Sequence, residues 1–265
     1  MLWLNLILGR RGSPLFKAVI SDAKLFRNII SAVSTLVEEA NLDLDPEGLE
    51  VRAMDPSHVA MVDLDLPRDA FQEYECPQSV TIRLGLDGLI KLLKRAKANE
   101  KVMITYNMET KKIELTVRNE VKKEFIISTL EAVEEKTPTP KITFKSRVKM
   151  TSASLREIID DAQAIGDSII FETTPEKLIV LVEGELNSAK FELDKNSPAV
   201  VEFTAEEPSK ASFNLTYLAD MVRAGASSSE ILNLEFSTNM PLKLEFPLPQ
   251  SGSLSYYLAP RIEAE

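Results

Sequence analysis

The sequence predicts an α+β fold in which two similar domains each combine antiparallel sheets with two helices. The first observation is a repeat: a segment beginning at Phe16 and another beginning at Phe144, 128 positions later, show the same order of strand-like and helical stretches. The second is that several short stretches of alternating hydrophobicity follow each helix, which is typical of antiparallel meanders rather than strand–helix–strand units. A chain of 265 residues is long enough for two such domains.

The first helix of each half is indicated by apolar residues at helical spacing. In the first half these residues are Leu25, Phe26, Ile29, Ile30, Ala32, Val33, Leu36 and Val37. In the second half they are Leu155, Ile158, Ile159, Ala162 and Ile165. Ser154 and Glu157 lie three positions apart near the start of the second pattern, which predicts a capping box there.

Turn residues and a second helix follow in each half. The turn at Pro46 to Gly48 and the turn at Pro175 each separate two alternating stretches, which predicts pairs of strands. The second helix is predicted over Leu86 to Ala98 in the first half and over Asn214 to Gly225 in the second. Further alternating stretches follow both helices, so each half is expected to end in strands.

A polar segment separates the halves. Residues 129–141 are first acidic and then rich in threonine and proline, and Pro138 and Pro140 disfavour both helix and central strand. We therefore expect a first domain over residues 15–128, an exposed connecting loop over 129–141 and a second domain over 142–265.

The first 14 residues are apolar only as far as Leu8, which is far short of the roughly 20 residues of a membrane-spanning helix. Arg10 and Arg11 follow the apolar run, whereas a secretory signal would place them before it. Residues 1–14 are therefore expected to be a loose tail or a start-site artefact, and no membrane association is expected.

Composition argues against several kinds of catalytic site. The chain has one histidine, His58, and one cysteine, Cys76, too few for the usual zinc sites or for a histidine-based triad. Three acidic pairs remain: Asp43/Asp45, Asp63/Asp65 and Asp160/Asp161. In the first two pairs the aspartates alternate with leucines, which predicts a solvated strand face over a buried one. We expect no catalysis, metal or cofactor, and a carboxylate–metal hydrolase stays as the alternative from another class.

Charge is distributed unevenly along the chain. The whole carries 31 basic and 41 acidic residues, a formal net charge of −10. The predicted helix at Leu86 to Ala98 runs against this trend, because it contains four basic residues and one aspartate, a net charge of +3. The basic residues can form an ordinary solvated helix face, and the alternative is that they contact phosphates.

Several stretches resemble the proliferating cell nuclear antigen family, the sliding clamps of archaea and eukaryotes. The most specific are RAMDPSHVAMVDLDLP at residues 52–67 and LAPRIEAE at the C-terminus; EEANLDLDPEGLEVRAMD, LIKLLKRAKANE, AIGDSIIFETTPEKLIVLVEGEL and NMPLKLEF also match. The resemblance runs from about Leu15 to Glu265. It implies the DNA-clamp fold, in which three two-domain subunits form a ring with helices around a central hole and sheets outside.

The resemblance also implies a function without catalysis. Such a ring encircles duplex DNA independently of sequence, gives polymerase its processivity, and tethers DNA polymerase, flap endonuclease and ligase through short peptide motifs. A clamp loader opens and closes the ring. The expected assembly is a homotrimer, the expected location is the cytoplasm and nucleoid or a eukaryotic nucleus, and a subunit of a heterotrimeric or checkpoint-type clamp is the alternative.

Three sets of site residues follow from the resemblance. The pocket for partner peptides matches Met54, His58, Val59, Met61, Pro241, Tyr257, Ala259, Pro260 and Ile262. The DNA-contacting positions are Arg27, Lys91, Lys94, Arg95 and Arg223. The subunit interface pairs a strand at Glu120 to Ile127 with a strand at Glu185 to Leu193, and its residues are Lys122, Lys123, Phe125, Glu185, Lys190 and Glu192.

The sequence departs from the family pattern in two places. The connecting loop has Thr137 and Thr139 where the family usually places apolar residues, which puts partner affinity and choice in doubt. Glu157, Asp160 and Asp161 stand on the second-domain helix where the family tends to place basic residues, so that part of the hole is expected to be less positive.

Overall fold

A computed structural model describes residues 15–97, 100–118, 120–133 and 137–262. In the first half the helices are α1 (Ala23–Val33) and α2 (Leu86–Leu93). The strands of that half are β1 (Phe16–Ile20), β2 (Glu39–Leu44), β3 (Gly48–Met54), β4 (Ala60–Pro67), β5 (Glu73–Glu75), β6 (Val80–Gly85), β7 (Val102–Asn107), β8 (Lys112–Arg118) and β9 (Lys122–Ser128).

The second half repeats this order. Its helices are α3 (Ser152–Ala162) and α4 (Leu215–Ala226). Its strands are β10 (Ser146–Thr151), β11 (Ser168–Thr173), β12 (Lys177–Glu183), β13 (Ser188–Asp194), β14 (Val200–Ala205), β15 (Ser209–Asn214), β16 (Ile231–Phe236), β17 (Leu242–Pro247) and β18 (Ser253–Leu258). Each β strand of the first half thus has a counterpart nine strands later, and the predicted two-domain α+β architecture is confirmed.

Strand pairing is antiparallel throughout and repeats between the halves. The first half has a five-stranded sheet in the order β5-β1-β7-β8-β9, and the second has a four-stranded sheet in the order β13-β12-β11-β15. A nine-stranded sheet, β14-β10-β16-β17-β18-β4-β3-β2-β6, contains strands of both halves. The pair β18–β4 joins the halves, with Leu258 opposite Ala60 and Ser253 opposite Asp65.

The four helices pack side by side on one face of the sheets. α1 contacts both α2 and α4, and α4 contacts α3, so the order across the layer is α2-α1-α4-α3. Helix α1 is joined to the second half by two hydrogen bonds: the Tyr256 hydroxyl donates to the carbonyl of Ala32 (2.7 Å), and Asn28 Nδ2 donates to the carbonyl of Ser227 (2.9 Å). The helices and sheets therefore share one continuous hydrophobic core.

The structure corrects some local predictions. The capping box of Ser154 and Glu157 is wrong, because Thr151 is the N-cap of α3 and its hydroxyl accepts from the Ser154 amide. The helix predicted to Ala98 ends at Leu93 and continues as turns, although Ala98 itself lies outside the described residues. Asn214 caps α4 rather than opening it, because its side chain accepts from the Tyr217 amide (3.1 Å).

The remaining expectations concern the alternation of buried and exposed side chains along β4, the N-terminal residues and membrane-spanning helices. Along β4 the side chains of Ala60, Val62, Leu64 and Leu66 are buried, whereas Asp63 and Asp65 are at least partly exposed, so the predicted alternation is confirmed. The tail at residues 1–14 lies outside the described residues. Among the helices that the structure describes, none is long and apolar enough to cross a membrane.

Candidate functional site

The loop between β3 and β4 is built around the carboxylate of Asp55, which is 2% exposed. Its oxygens accept hydrogen bonds from the backbone amides of Ser57 (2.9 Å), Val59 (2.8 Å) and Ala60 (2.7 Å). His58 within this loop has a φ of 57°, a left-handed conformation that residues other than glycine adopt infrequently. The aspartate holds the turn in this shape because it satisfies amides that the turn leaves unpaired.

Tyr217 in α4 completes the set of donors to Asp55. Its hydroxyl lies 2.8 Å from Asp55 Oδ2, although the two residues are 162 positions apart. Burial by itself raises the pKa of the Asp55 carboxyl, but the hydrogen bonds from Ala60, Tyr217, Ser57 and Val59 together hold that pKa below its ordinary value. The Asp55 carboxylate is therefore charged, and its hydrogen bond with Tyr217 anchors the loop to the second half of the chain.

Next to this loop, side chains from three adjacent strands form what we call the docking cluster: Met54, Val59, Met61, Tyr257 and Ala259. Met61 of β4 stands opposite Met54 on one side and opposite Tyr257 on the other. The Ala259 amide donates to the Val59 carbonyl (2.8 Å) and extends this pairing beyond β18. The structure thus brings together five of the nine residues that the sequence assigned to peptide binding.

Members of the docking cluster differ in accessibility. Val59 is 37% exposed and Met54 and Tyr257 are half-buried, whereas Met61 is only 3% exposed. Met61 therefore forms the floor of the cluster rather than a wall. Its burial was not foreseen, because its place on the outward side of β4 alone would leave it accessible.

The remaining four assigned residues surround the cluster. His58 is exposed in the β3–β4 loop, and Pro241 directly precedes Leu242, which pairs with Leu258. Pro260 is half-buried, and Ile262 is 86% exposed. Pro260 and Ile262 lie where the chain leaves β18, whereas His58 and Pro241 lie in loops of neighbouring strands. We call these four residues the rim of the docking cluster.

A cleft of about 450 Å³ lies beside the docking cluster, between β2, β3, β6 and the segment that follows β9. Its lining includes Asp43, Arg52, Thr81, Val133 and Thr137. We call this space the linker cleft. Thr137, one of the two threonines noted in the connecting loop, lines this cleft together with the apolar side chain of Val133.

Two contacts hold the start of the connecting loop, one at strand β6 and one at the linker cleft. Leu130 forms a β-bridge with Arg83, and Asn41 Nδ2 donates to the Val133 carbonyl (2.7 Å). Residues 130–133 therefore pass from the edge strand β6 toward Asn41 of β2.

A basic helical face lies on the opposite side of the molecule, on α2 and the turn after it, and consists of Lys91, Lys94 and Arg95. All three are exposed. Lys91 Nζ forms an ion pair with Asp87 (2.5 Å), and the Arg95 carbonyl accepts a long hydrogen bond from Lys123 Nζ (3.4 Å). Arg27 lies on the adjacent helix α1 and is half-buried. The helix layer thus brings these four predicted DNA contacts to neighbouring elements.

Arg223, the fifth predicted DNA contact, is engaged with acidic α3. Its guanidinium donates to Asp160 (2.8 Å) and to Gln163, and Asp160 also pairs with Arg156 (3.5 Å). The pKa of the Asp160 carboxyl is lowered, chiefly by its hydrogen bond with Arg223. The charge of Arg223 is therefore compensated within the helix layer by a residue of another helix, whereas on the basic helical face Lys91 pairs with Asp87 of its own helix.

The residues assigned to a subunit interface lie at two sheet edges. Strand β9 pairs only with β8, and β13 pairs only with β12, among the strands that the structure describes. Lys122, Lys123 and Phe125 stand on β9, and Lys190 and Glu192 stand on β13. The strand predicted from Glu185 begins only at Ser188, so Glu185 lies in the preceding turn. The strand predicted to end at Ile127 extends to Ser128.

The structure adds two residues that the sequence reasoning missed as parts of a site. Asp55 stands within the matching stretch at residues 52–67 and Tyr217 within the predicted helix at Asn214 to Gly225, but neither was assigned a role. An aspartate followed by proline and serine is a local turn signal that indicates the role of Asp55. No local signal indicates Tyr217, because its partner is remote in sequence.

Comparison with known proteins gives consistent matches over almost the whole chain. The family model "Proliferating cell nuclear antigen, N-terminal domain" matches residues 15–135, and the corresponding C-terminal model matches residues 138–261. The chain is 37% identical over 244 residues to "DNA polymerase sliding clamp 1" of Pyrobaculum aerophilum, covering 91% of this chain and 96% of that protein. It is 33% identical over 247 residues to the "DNA polymerase sliding clamp" of Thermofilum pendens, covering 93% and 99%.

Solved structures show the same similarity. The crystal structure of PCNA from Thermococcus kodakaraensis aligns with a TM-score of 0.88 at 26% identity, covering 93% of this chain and all of that one. A chain of the PCNA2–PCNA3 complex from Sulfolobus tokodaii aligns with a TM-score of 0.85 at 26% identity and the same coverage.

Proposed function

The chain belongs to the proliferating cell nuclear antigen family, and we propose that it is a DNA sliding clamp, three copies of which close into a ring around duplex DNA. One observation supports this most directly: the two halves share a single nine-stranded sheet backed by a layer of four helices, and each half has a further sheet that ends in an edge strand, β9 in the first half and β13 in the second. A unit of this kind continues from copy to copy when β9 of one copy pairs with β13 of the next.

The ring acts by tethering rather than by catalysis. A partner enzyme held on a ring that encircles the template rebinds that template intramolecularly, so its effective concentration at the DNA stays high. The partners bring the chemistry, and this chain supplies binding surfaces. Its location is accordingly with the DNA.

DNA contact is proposed for the basic helical face and Arg27. The lysine and arginine side chains there attract phosphates without reading bases, which suits a ring that must slide. The overall charge of −10 keeps this attraction local to the helix layer. The contribution of Arg223 is smaller, because Asp160 compensates its charge.

Partner docking is proposed for the docking cluster and its rim. Met54, Tyr257 and Val59 offer apolar, partly exposed surface, and the methionine thioether adapts to plugs of different shape. The chain beyond β18 and the connecting loop flank the cluster and supply backbone groups with which an extended peptide can pair. The partners proposed for this surface are replicative polymerase, clamp loader, flap endonuclease and ligase.

The first test is the mass of the chain in solution by size-exclusion chromatography with light scattering at micromolar concentration. A ring predicts about three times the chain mass of 29.6 kDa. The second test loads the protein on a nicked circular duplex with a clamp loader and then linearises the DNA. A ring stays on the circle and slides off the linear form, whereas equal retention on both forms contradicts encirclement.

A heterotrimeric clamp is the second candidate, because one similar structure is a PCNA2–PCNA3 complex. In that case the chain alone is smaller than a trimer and reaches the ring mass only with another clamp chain. The same light-scattering measurement separates the two candidates.

A further inference from the structure

The joint between the two halves is an internal model for the contact between two copies. Inside the chain, β18 pairs with β4. By the internal repeat, β9 is the counterpart of β18 and β13 is the counterpart of β4. Both β9 and β13 are end strands of their sheets, and we call these two the open edges. The inference below rests on the proposed ring, in which β9 of one copy meets β13 of the next.

Pairing registers fix which residues correspond. In the first half Ala18, Ile104, Leu115 and Phe125 stand opposite one another in a row across β1, β7, β8 and β9. The same row in the second half is Val148, Leu234, Leu244 and Tyr256. Phe125 therefore occupies the place of Tyr256.

Two matching turns, one before β3 and one before β12, show which residues of β13 correspond to those of β4. The Asp45 amide bonds to the Gly48 carbonyl, and the Thr174 amide bonds to the Lys177 carbonyl. After these turns Leu49 stands opposite Leu66, and Leu178 stands opposite Leu193. Counting back along the strands, Ala189 takes the place of Val62 and Glu192 takes the place of Asp65.

The internal joint then gives the register between copies. Tyr256 stands opposite Val62, so Phe125 stands opposite Ala189 of the next copy. Ser253 stands opposite Asp65 and Ser255 opposite Asp63. Transferred to the open edges, these pairs place Lys122 opposite Glu192 and Glu124 opposite Lys190.

This register makes both outward pairs attractive. Within each strand the charges already alternate, because Lys122 pairs with Glu124 (2.5 Å) and Lys190 pairs with Glu192 (2.6 Å). Antiparallel alignment adds a lysine–glutamate contact across the joint at both positions. On the inward side the large ring of Phe125 faces the small side chain of Ala189, as Tyr256 faces Val62 inside the chain.

Neighbouring registers are disfavoured. A shift of two residues in one direction places Lys122 opposite Lys190, and a shift in the other places Glu124 opposite Glu192. Like charges directly opposite in a sheet are destabilising. A shift of one residue places the inward side chain of Phe125 opposite an outward side chain of β13, so the two faces of the joined sheets no longer match.

We infer that the open edges of this chain are complementary to each other, so that the chain selects further copies of itself through a four-charge ladder of Lys122, Glu124, Lys190 and Glu192 in this one register. The partner that fits each edge is therefore a second copy of this chain. Glu185 lies outside the ladder, and Lys123 faces inward toward Phe191 rather than a carboxylate.

Charge swaps test the ladder without changing net charge. The double variant Lys122→Glu with Glu124→Lys, and separately Lys190→Glu with Glu192→Lys, opposes like charges at both positions. We expect the concentration at which half of the rings dissociate to leave the wild-type range and rise about tenfold or more at low salt, since repulsion replaces attraction at two positions of every subunit contact. The variant with all four substitutions restores complementarity and should recover the wild-type value. Swapping the exposed pair Lys145 and Glu206, which lies outside both edges, is the matched control.

Cysteine cross-linking tests the register itself. Residues directly opposite lie within disulfide reach, whereas positions displaced by two do not. Glu124→Cys with Lys190→Cys should therefore oxidise to covalently closed trimers on denaturing gels, and Glu124→Cys with Glu192→Cys should not. If wild-type rings form but the swaps have no effect and the displaced pair cross-links, the register is wrong and the clamp stands. If the wild-type chain is monomeric at micromolar concentration, both proposals fail.

Discussion

The hydroxyl of Tyr217 lies 2.8 Å from the carboxylate of Asp55, and this contact joins a helix of the second domain to the β3–β4 loop of the first. The same carboxylate accepts from three amides of that loop. The shape of the rim of the docking cluster therefore depends on the packing of the two domains against each other.

Replacing Asp55 should destabilise the protein and reshape the docking surface. Asp55→Ala leaves buried loop amides and the Tyr217 hydroxyl without their acceptor, and we expect a loss of roughly 2–4 kcal/mol in the free energy of unfolding. Tyr217→Phe removes one donor only and should cost about 1 kcal/mol. Urea unfolding measures both, and equal stability of wild type and Asp55→Ala would contradict the anchoring role.

The contribution of Asp55 should also depend on pH. Its folded-state pKa is lowered, so folding favours the charged form, and this stabilisation is fully present above the pKa of the unfolded state, about 3.9. It is lost as the pH falls through the folded-state pKa. The stability difference between wild type and Asp55→Asn should thus be constant near neutral pH and shrink below about pH 4. Urea titrations across this pH range measure the difference. A difference that increases as the pH falls would contradict a lowered pKa for Asp55.

Two helical glycines should respond oppositely to alanine. A Cβ at Gly225 in α4 would overlap the ring of Phe246, whereas a Cβ at Gly88 in α2 meets nothing within 4 Å. Gly225→Ala should therefore lower the melting temperature, at a cost of about 1–3 kcal/mol for overpacking. Gly88→Ala should raise stability by roughly 0.5–1 kcal/mol through helix propensity. Calorimetry on both variants checks the pair, and a stabilised Gly225→Ala would show that the ring of Phe246 moves aside at no cost.

Truncation of the docking cluster should weaken peptide binding. Met54→Ala removes a half-buried apolar side chain from the cluster, and with Met61→Ala the loss in binding free energy for a clamp-binding peptide should reach about 1–3 kcal/mol. Met61 is nearly inaccessible, so its own effect acts through the floor of the cluster. Met108→Ala, at an exposed methionine in the β7–β8 turn, is the control. Unchanged calorimetric affinity in the double variant would refute the site.

Charge reversal on the basic helical face should abolish function while the ring persists. Lys91→Glu with Lys94→Glu replaces attraction for phosphates by repulsion, so polymerase stimulation in primer extension should be lost. Light scattering should still report the wild-type mass. Lys111→Glu with Lys112→Glu changes the same charge in the β7–β8 hairpin and should leave stimulation intact. Full stimulation by the first variant would exclude these two lysines as the DNA contact.

Much of the fold is encoded locally and was predictable for that reason. The apolar spacing of α1 and α3 and the alternation along β4 reflect the side-chain periods of helices and strands, which neighbouring residues carry. The end of α2 and the cap of α3 were placed incorrectly, because helix ends depend on a few hydrogen bonds for which several nearby residues compete.

By itself, the sequence determined the repeated order of helices and strands, the concentration of basic residues after Leu86 and, through the resemblance, the family. Only the tertiary structure decided that β18 pairs with β4, that Met61 is a buried floor, that Tyr217 holds Asp55 and that Arg223 is compensated by Asp160. The reason is physical: periodicity is a property of adjacent residues, whereas sheet pairing across the two halves and ion pairing between helices depend on how remote segments pack.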